Sequence, residues 1–238
     1  MSNGTFQRHE VKFLLDSHQR SALERAMRGH MEADAYGEST ICSLYYDTPD
    51  SRLIRRSLEK PDYKEKLRLR SYGAAKPDGK IFVELKKKYG GVVYKRRISM
   101  TEREATRFLA GNGAPPEDSQ IGREIEYFLD FYQTLEPSMY LCYDRIAYFC
   151  PADENLRITF DRNIRWRTDG LTLTAPPRGE QLIRPDQSLL EIKTGTAMPL
   201  WLVNALNENG IRRTSFSKYG RAYTIEQTRK HIGGINCA

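Results

Sequence analysis

The sequence predicts an α+β fold in which an antiparallel barrel with a charged lumen is covered outside by amphipathic helices. Three observations lead there. At least six segments alternate an apolar face with a face of Lys, Arg and Glu, the period of two that belongs to strands. Helical segments between them carry apolar residues on one side only. One strand face is cationic throughout: in Tyr63-Lys64-Glu65-Lys66-Leu67-Arg68-Leu69-Arg70-Ser71-Tyr72, positions 64, 66, 68 and 70 are all basic. Like charges in register repel unless an anion lies along them. Helices over the apolar outside and charges lining the inside satisfy both patterns.

In chain order, residues 6–15 read as a strand with Arg8, Glu10 and Lys12 opposite His9, Val11, Phe13 and Leu15. Asp16 or Ser17 caps a helix to about Arg28. Residues 29–37 read as a loop, 39–46 as a strand and 50–57 as a short helix. The basic strand 63–72 follows, then a turn at Pro77-Asp78-Gly79. Strand 80–89 puts Phe82, Glu84, Lys86 and Lys88 opposite Ile81, Val83 and Leu85, and Gly90-Gly91 turns into strand 92–99, which carries Lys95 and Arg97. Thr101-Glu102-Arg103-Glu104 has capping-box spacing and opens a helix to about Ala110. A Gly/Pro loop over 111–119 precedes an amphipathic helix over 121–134. Strand 138–149 carries Tyr143 and Arg145 on one face. A turn over 151–155 leads to strand 156–166, with Arg157, Thr159, Asp161 and Asn163 on one face. Residues 168–185 read as a loop or short hairpin. Strand 188–194 places Leu189, Glu191 and Lys193 together, and a helix over 199–209 stops at Gly210. A polar tail, read as a helix with a frayed end, closes the chain. The expectation is one domain over residues 1–238, with its core at about 6–223 and a tail at 224–238.

Composition narrows the chemistry. Of 238 residues, 39% are hydrophobic and 29% charged, the balance of a globular protein with a modest core, and the net charge of +7 calls for a polyanionic partner. No run of 18 apolar residues and no apolar signal-peptide core at the N-terminus occur, so the expected location is cytoplasmic, without a transmembrane segment. Cys42, Cys142, Cys150 and Cys237 show no CxxC spacing and read as reduced thiols. The scattered His9, His18, His30 and His231 lack metal-ligand spacing. Walker, nucleophile-elbow, zinc and dinucleotide motifs are missing from the sequence, as is an RNA-recognition pattern of aromatics.

The charged faces hold far more cations than carboxylates, and a bound polyphosphate would supply the missing anions, with Arg forks suited to its oxygens. Carboxylates recur in Glu10-x-Lys12, Glu84-x-Lys86 and Glu191-x-Lys193. They either neutralise neighbouring lysines or, with phosphate oxygens, hold a hard divalent cation, Mn²⁺ or Mg²⁺. Carboxylates inside a plain nucleic-acid groove would repel the phosphates, so a nucleic-acid partner is not expected.

Nine short motifs occur in order over residues 6–223: Arg8-His9-Glu10-Val11-Lys12, Ser43-Leu44-Tyr45-Tyr46-Asp47-Thr48, Lys66-Leu67-Arg68-Leu69-Arg70-Ser71-Tyr72-Gly73, Val83-Glu84-Leu85-Lys86, Lys95-Arg96-Arg97, Tyr143-Asp144-Arg145, Leu156-Arg157-Ile158-Thr159-Phe160-Asp161, Leu190-Glu191-Ile192-Lys193 and Phe216-Ser217-Lys218-Tyr219. In these the sequence resembles the catalytic domain of the vacuolar transporter chaperone (VTC) polyphosphate polymerases, within the CYTH-like triphosphate tunnel metalloenzymes. The resemblance implies an eight-stranded antiparallel tunnel that binds triphosphate through basic residues and a metal through glutamate. Carried over, Lys12, Arg68, Arg70, Lys86, Lys95, Arg97, Arg145, Arg157 and Lys218 hold phosphates, and Lys66 and Lys193 join them from the same faces. Glu191 is the principal metal ligand, with Glu10 and Glu84 as weaker candidates. Tunnel triphosphatases carry Glu-x-Glu-x-Lys on the first strand, and Arg8 stands for the first Glu here, which resembles the polymerase branch more than the hydrolase branch. The expected reaction is transfer of the ATP γ-phosphoryl group to a growing polyphosphate chain, with Arg68, Arg70, Glu191 and Lys218 catalytic. A triphosphatase using the same tunnel and a non-catalytic polyphosphate sensor are the alternatives. The expected partners are ATP and inorganic polyphosphate, with room for a separate membrane protein.

Overall fold

The computed structural model describes residues 9–90, 92–115, 118–195 and 197–235. Phe6 and Arg8 on the first predicted strand, Gly91 of the predicted turn and Cys237 lie outside the described residues.

Alternation sets the strands and capping sets the helices. Strand β1 (His9–Leu15) ends at Asp16, whose side chain accepts from the Gln19 backbone N–H while Gln19 answers the Asp16 N–H, starting α1 (Ser17–Ala26). Next come β2 (Glu32–Asp47) and α2 (Arg52–Leu58). The strands β3 (Tyr63–Tyr72), β4 (Lys80–Tyr89) and β5 (Val92–Thr101) form a meander. Thr101 then caps α3 (Glu102–Leu109) through the capping box expected with Glu104, and Ser119 caps α4 (Gln120–Tyr132). Long strands β6 (Glu136–Cys150) and β7 (Asp153–Arg167) precede the two-residue β8 (Glu180–Gln181). The chain finishes with β9 (Ser188–Thr194), α5 (Leu200–Glu208), β10 (Arg213–Thr214) and α6 (Lys218–Ile235).

The antiparallel sheet with outer helices is present, but the eight-stranded closed tunnel is corrected in detail. Among the described residues there are ten strands in the order β10-β1-β9-β7-β6-β2-β3-β4-β5, with β8 beside β7, and β10 and β5 end the path. The two additional strands, β8 and β10, are two residues each, too short to leave an alternation signal. The loop expected over residues 29–37 is also corrected, because Glu32 onward already belongs to β2. That stretch is polar and mostly exposed, so its extended form comes from pairing in the sheet, which local composition does not report.

Two compact units divide the chain. One comprises residues 1–39, 143–164 and 183–216, the other 40–142, 165–182 and 217–238. In the first, Leu23 and Met27 near α1, Leu202 and Leu206 of α5, and Phe13, Ile158, Phe160, Leu190 and Ile192 from the strands make the core. In the second, Leu67 and Leu69 pack with Ile81, Val83 and Leu85 beneath Phe108 of α3 and Ile125 and Phe128 of α4. The apolar members of each strand go to these cores, so the intervening charged members are left on the opposite face. Among the described residues Cys42, Cys142 and Cys150 are in no disulfide.

Candidate functional site

Register decides which charges meet. In the second unit Tyr45 pairs with Arg68, Arg68 with Glu84, and Glu84 with Arg97, so one row crosses β2, β3, β4 and β5. The row beside it is Lys66–Lys86–Lys95, and the row on the other side begins Ser43–Arg70–Phe82. The lysine row places like charges directly opposite one another, which is unfavourable by itself.

Glu84 is the hub of this face. Its side chain is 1% exposed and receives four cations. Arg68 Nε and Nη2 lie 2.8 and 2.7 Å from Glu84 Oε2, and Arg70 Nε lies 3.6 Å from the same oxygen. Lys95 Nζ at 2.7 Å and Arg97 Nε at 3.2 Å face Oε1 as ion contacts outside hydrogen-bond alignment. Burial alone would raise the carboxyl's pKa; Arg68, Arg70 and Lys95 outweigh it and hold Glu84 at about 2. Burial brings Lys95 down to about 8, against the pull of Glu84 and with the push of Arg70 and Arg68. Tyr45 is buried, which would raise it, yet the charges of Arg68, Lys66 and Arg70 bring it down to about 8. Arg97 stacks on Phe82 with its guanidinium carbon 3.6 Å from the ring centroid. Arg70 Nε and Arg97 Nε and Nη2 are buried N–H groups without a hydrogen-bond acceptor. Glu84 thus meets four of the six candidate cations of this face, Arg68, Arg70, Lys95 and Arg97, with Lys66 and Lys86 in the neighbouring row, and guanidinium donors of Arg70 and Arg97 are not all satisfied.

The start of α6 reaches the same face. Ser217 Oγ accepts from Lys66 Nζ at 3.2 Å, and Lys66 Nζ lies 5.8 Å from the Tyr219 ring centroid. Lys218, the first residue of α6, sits between these two contacts in sequence and is half-buried.

The first unit holds a second charged chain. Lys12 pairs with Glu191 and Glu191 with Thr159; in the neighbouring row Glu10 pairs with Lys193 and Lys193 with Arg157. Lys12 Nζ lies 3.2 Å from Glu10 Oε1 and 3.4 Å from Glu191 Oε1, and donates to the Phe216 carbonyl at 3.1 Å. Arg145 makes a two-pronged contact with Asp161, Nε to Oδ1 at 2.6 Å and Nη2 to Oδ2 at 2.7 Å, and its Nη2 is 3.4 Å from Glu191 Oε2. Burial would lower the Arg145 pKa; Tyr143, Asp161 and Glu191 more than reverse it, so the guanidinium stays charged. Thr159 Oγ1, beside Glu191 in the ladder, is buried without a hydrogen-bond partner.

The expected site residues therefore fall into two groups. Lys66, Arg68, Arg70, Glu84, Lys86, Lys95, Arg97 and Lys218 belong to the second unit, and Glu10, Lys12, Arg145, Arg157, Glu191 and Lys193 to the first. Two residues of these clusters were not singled out from sequence. Asp161 shares a strand face with Arg157 and Thr159, so its parity was legible, but its bond to Arg145 was not. Tyr45 lies in an apolar run, and only the register with Arg68 reveals its polar end.

A divalent cation needs oxygen ligands. Glu10 and Glu191 already converge on one cationic atom, Lys12 Nζ, so a hard metal completed by phosphate oxygens fits this donor set. Both oxygens of Glu84 are taken by cations, a poorer fit. Among the described residues no three His, Cys, Asp or Glu side chains come close enough to hold a metal by themselves.

Comparison with known proteins agrees with this architecture. The VTC domain profile matches residues 7–226. The chain is 25% identical over 225 residues to vacuolar transporter chaperone complex subunit 4 of Schizosaccharomyces pombe, a match covering 76% of this chain and 31% of that protein. The chain thus spans about a third of the length of that relative. Among solved structures, a Bacillus halodurans protein solved under the name adenylate cyclase superposes with a TM-score of 0.52 at 14% identity, covering 89% of this chain and 95% of that one. A Vibrio parahaemolyticus protein solved under the same name gives a TM-score of 0.50 at 14% identity, over 92% and 99% of the two chains. These likenesses concern the fold.

Proposed function

The chain belongs to the VTC domain family, and on that premise we propose that it is a metal-dependent polyphosphate polymerase that transfers the ATP γ-phosphoryl group to the end of a polyphosphate chain. One observation carries the reading: on the cationic face of β3, β4 and β5 the Glu84 carboxylate gathers Arg68, Arg70, Lys95 and Arg97, and buried guanidinium N–H groups of Arg70 and Arg97 have no hydrogen-bond acceptor. A run of phosphate oxygens is the anion that such a face fits, since guanidinium forks match phosphate geometry and the charge repeats along the strand.

Phosphoryl transfer asks mainly for alignment and charge stabilisation. Arg68 and Arg70 grip phosphate oxygens from a fixed base, because Glu84 holds the plane of Arg68 through two contacts. Lys66, Lys86, Lys95 and Arg97 on the same face supply further positive charge; the other unit has its own cations, Lys12, Arg145, Arg157 and Lys193. Glu84 serves as the anchor of the clamp. Glu191, with Glu10, would hold Mn²⁺ or Mg²⁺, which neutralises phosphate charge when bound. Asp161 keeps Arg145 aimed toward Glu191. Lys218 stabilises charge at the acceptor end. No protein nucleophile is required, because a terminal phosphate oxygen is already ionised at neutral pH.

The test is incubation of the purified chain with ATP and Mn²⁺ or Mg²⁺, with products resolved on a gel. A ladder of long polyphosphate is the expected result. Free phosphate without a ladder overturns the polymerase reading for a triphosphatase; binding of polyphosphate without turnover overturns it for a sensor.

A further inference from the structure

We propose that Asp47, Tyr219 and Tyr45 form a positioning relay that couples the seating of α6 to the aim of Arg68. The inference rests on the phosphate-clamp reading of Arg68 and adds residues that this reading does not contain.

The relay starts from a buried acid. Asp47 is 0% exposed and closes β2. Its Oδ1 accepts from the Leu53 N–H at 2.8 Å and its Oδ2 from the Ile54 N–H at 3.0 Å, so the start of α2 fixes the carboxylate. Tyr219, in the first turn of α6, donates its hydroxyl to Asp47 Oδ2 at 2.8 Å, and that hydroxyl also meets Ser138 Oγ at 3.1 Å. The Tyr219 ring, 2% exposed, stacks on Tyr45 with centroids 4.5 Å apart and planes 23° from parallel. The Tyr45 hydroxyl accepts from Arg68 Nη1 at 2.9 Å.

The Arg68 guanidinium is therefore gripped from two sides. Glu84 takes Nε and Nη2, and Tyr45 takes Nη1. A planar fork held at three N–H groups cannot rotate about its own axis, which sets where its outer edge points. Tyr45 is itself held by a ring whose hydroxyl is tied to a fixed, buried carboxylate. Lys66 is gathered into the same device, since its ammonium meets Ser217 Oγ and the Tyr219 ring at the head of α6. Displacement of α6 would release two cations of the clamp together.

The experiment is a double-mutant cycle read by calorimetric binding of tripolyphosphate, with thermal melting as the folding control. Tyr45→Phe keeps the stack and deletes the acceptor; Tyr219→Phe keeps the stack and deletes the bond to Asp47. Each is measured in the native background and beside Arg68→Lys, which keeps a charge but loses the fork. Tyr45→Phe should weaken binding about tenfold alone, the scale of one hydrogen bond to a charged group, and less than about twofold beside Arg68→Lys. Tyr219→Phe should follow the same pattern with a smaller factor, and it carries the test if Tyr45→Phe melts early. Equal losses in both backgrounds, or no loss in the native one, overturn the relay while leaving the clamp intact. A native chain that does not bind tripolyphosphate overturns the clamp reading and the relay with it.

Discussion

Replacing Glu84 by Gln tests the electrostatic logic of the clamp most directly. The substitution keeps size and removes the one carboxylate at the centre of four cations. A carboxyl that titrates at about 2 in the fold and near ~4.3 in the unfolded chain stabilises the folded state at neutral pH by about 3 kcal/mol. Because the folded pKa is the lower one, that stabilisation is fully present above about pH 5 and disappears as pH falls through about 2. Breaking a buried ion pair from one side costs about 3–5 kcal/mol, a similar figure. For a chain of this size about 3 kcal/mol corresponds to a fall in Tm of about 6–12 °C. Thermal melts of the native chain and Glu84→Gln from pH 7 to pH 2 would therefore start apart and converge at the acid end. Tripolyphosphate should raise the Tm of the variant more than that of the native chain, since it brings negative charge to cations that have lost theirs. Parallel curves at all pH values, or equal rescue of both proteins, would refute the reasoning.

Other substitutions separate clamp, metal and scaffold. Arg68→Ala and Glu191→Gln should each abolish polymer synthesis while the far-UV spectrum stays near native; synthesis at native rate in either purified variant would sink the assignment. Asp161→Asn weakens the two-pronged hold on Arg145 and should lower kcat at least tenfold, measured in the same gel assay. Thr101→Ala removes the side-chain half of a capping box, the hydroxyl that accepts from the Glu104 N–H, and leaves the Thr101 N–H on the Glu104 carboxylate; it should lower stability by about 1 kcal/mol without changing activity, checked by denaturant unfolding. Tyr45 should ionise at about 8, giving one phenolate absorbance step there that disappears in Tyr45→Phe.

Much of the fold was legible because a period of two leaves little choice. Residues 63–72, 80–89 and 188–194 match β3, β4 and β9 at both ends, and the caps at Asp16 and Thr101 were readable as local chemistry. Strand pairing escaped this reading. The polar beginning of β2 looks like loop until it has a neighbour, and β8 and β10 are too short to show a pattern.

The sequence by itself determined which side of each strand is charged, since parity follows from alternation and the apolar members must enter the cores. It therefore supplied Arg68, Arg70, Glu84, Lys95, Arg97 and Glu191 as residues on charged faces. Only the tertiary structure decided how those faces line up. Register sets Glu84 between Arg68 and Arg97, sets Glu191 between Lys12 and Thr159, and brings Tyr45 to Arg68. A shift of two residues along any one of these strands would keep its parity and break the contacts that strand makes, because alternation repeats every two residues while a salt bridge must close within about 4 Å.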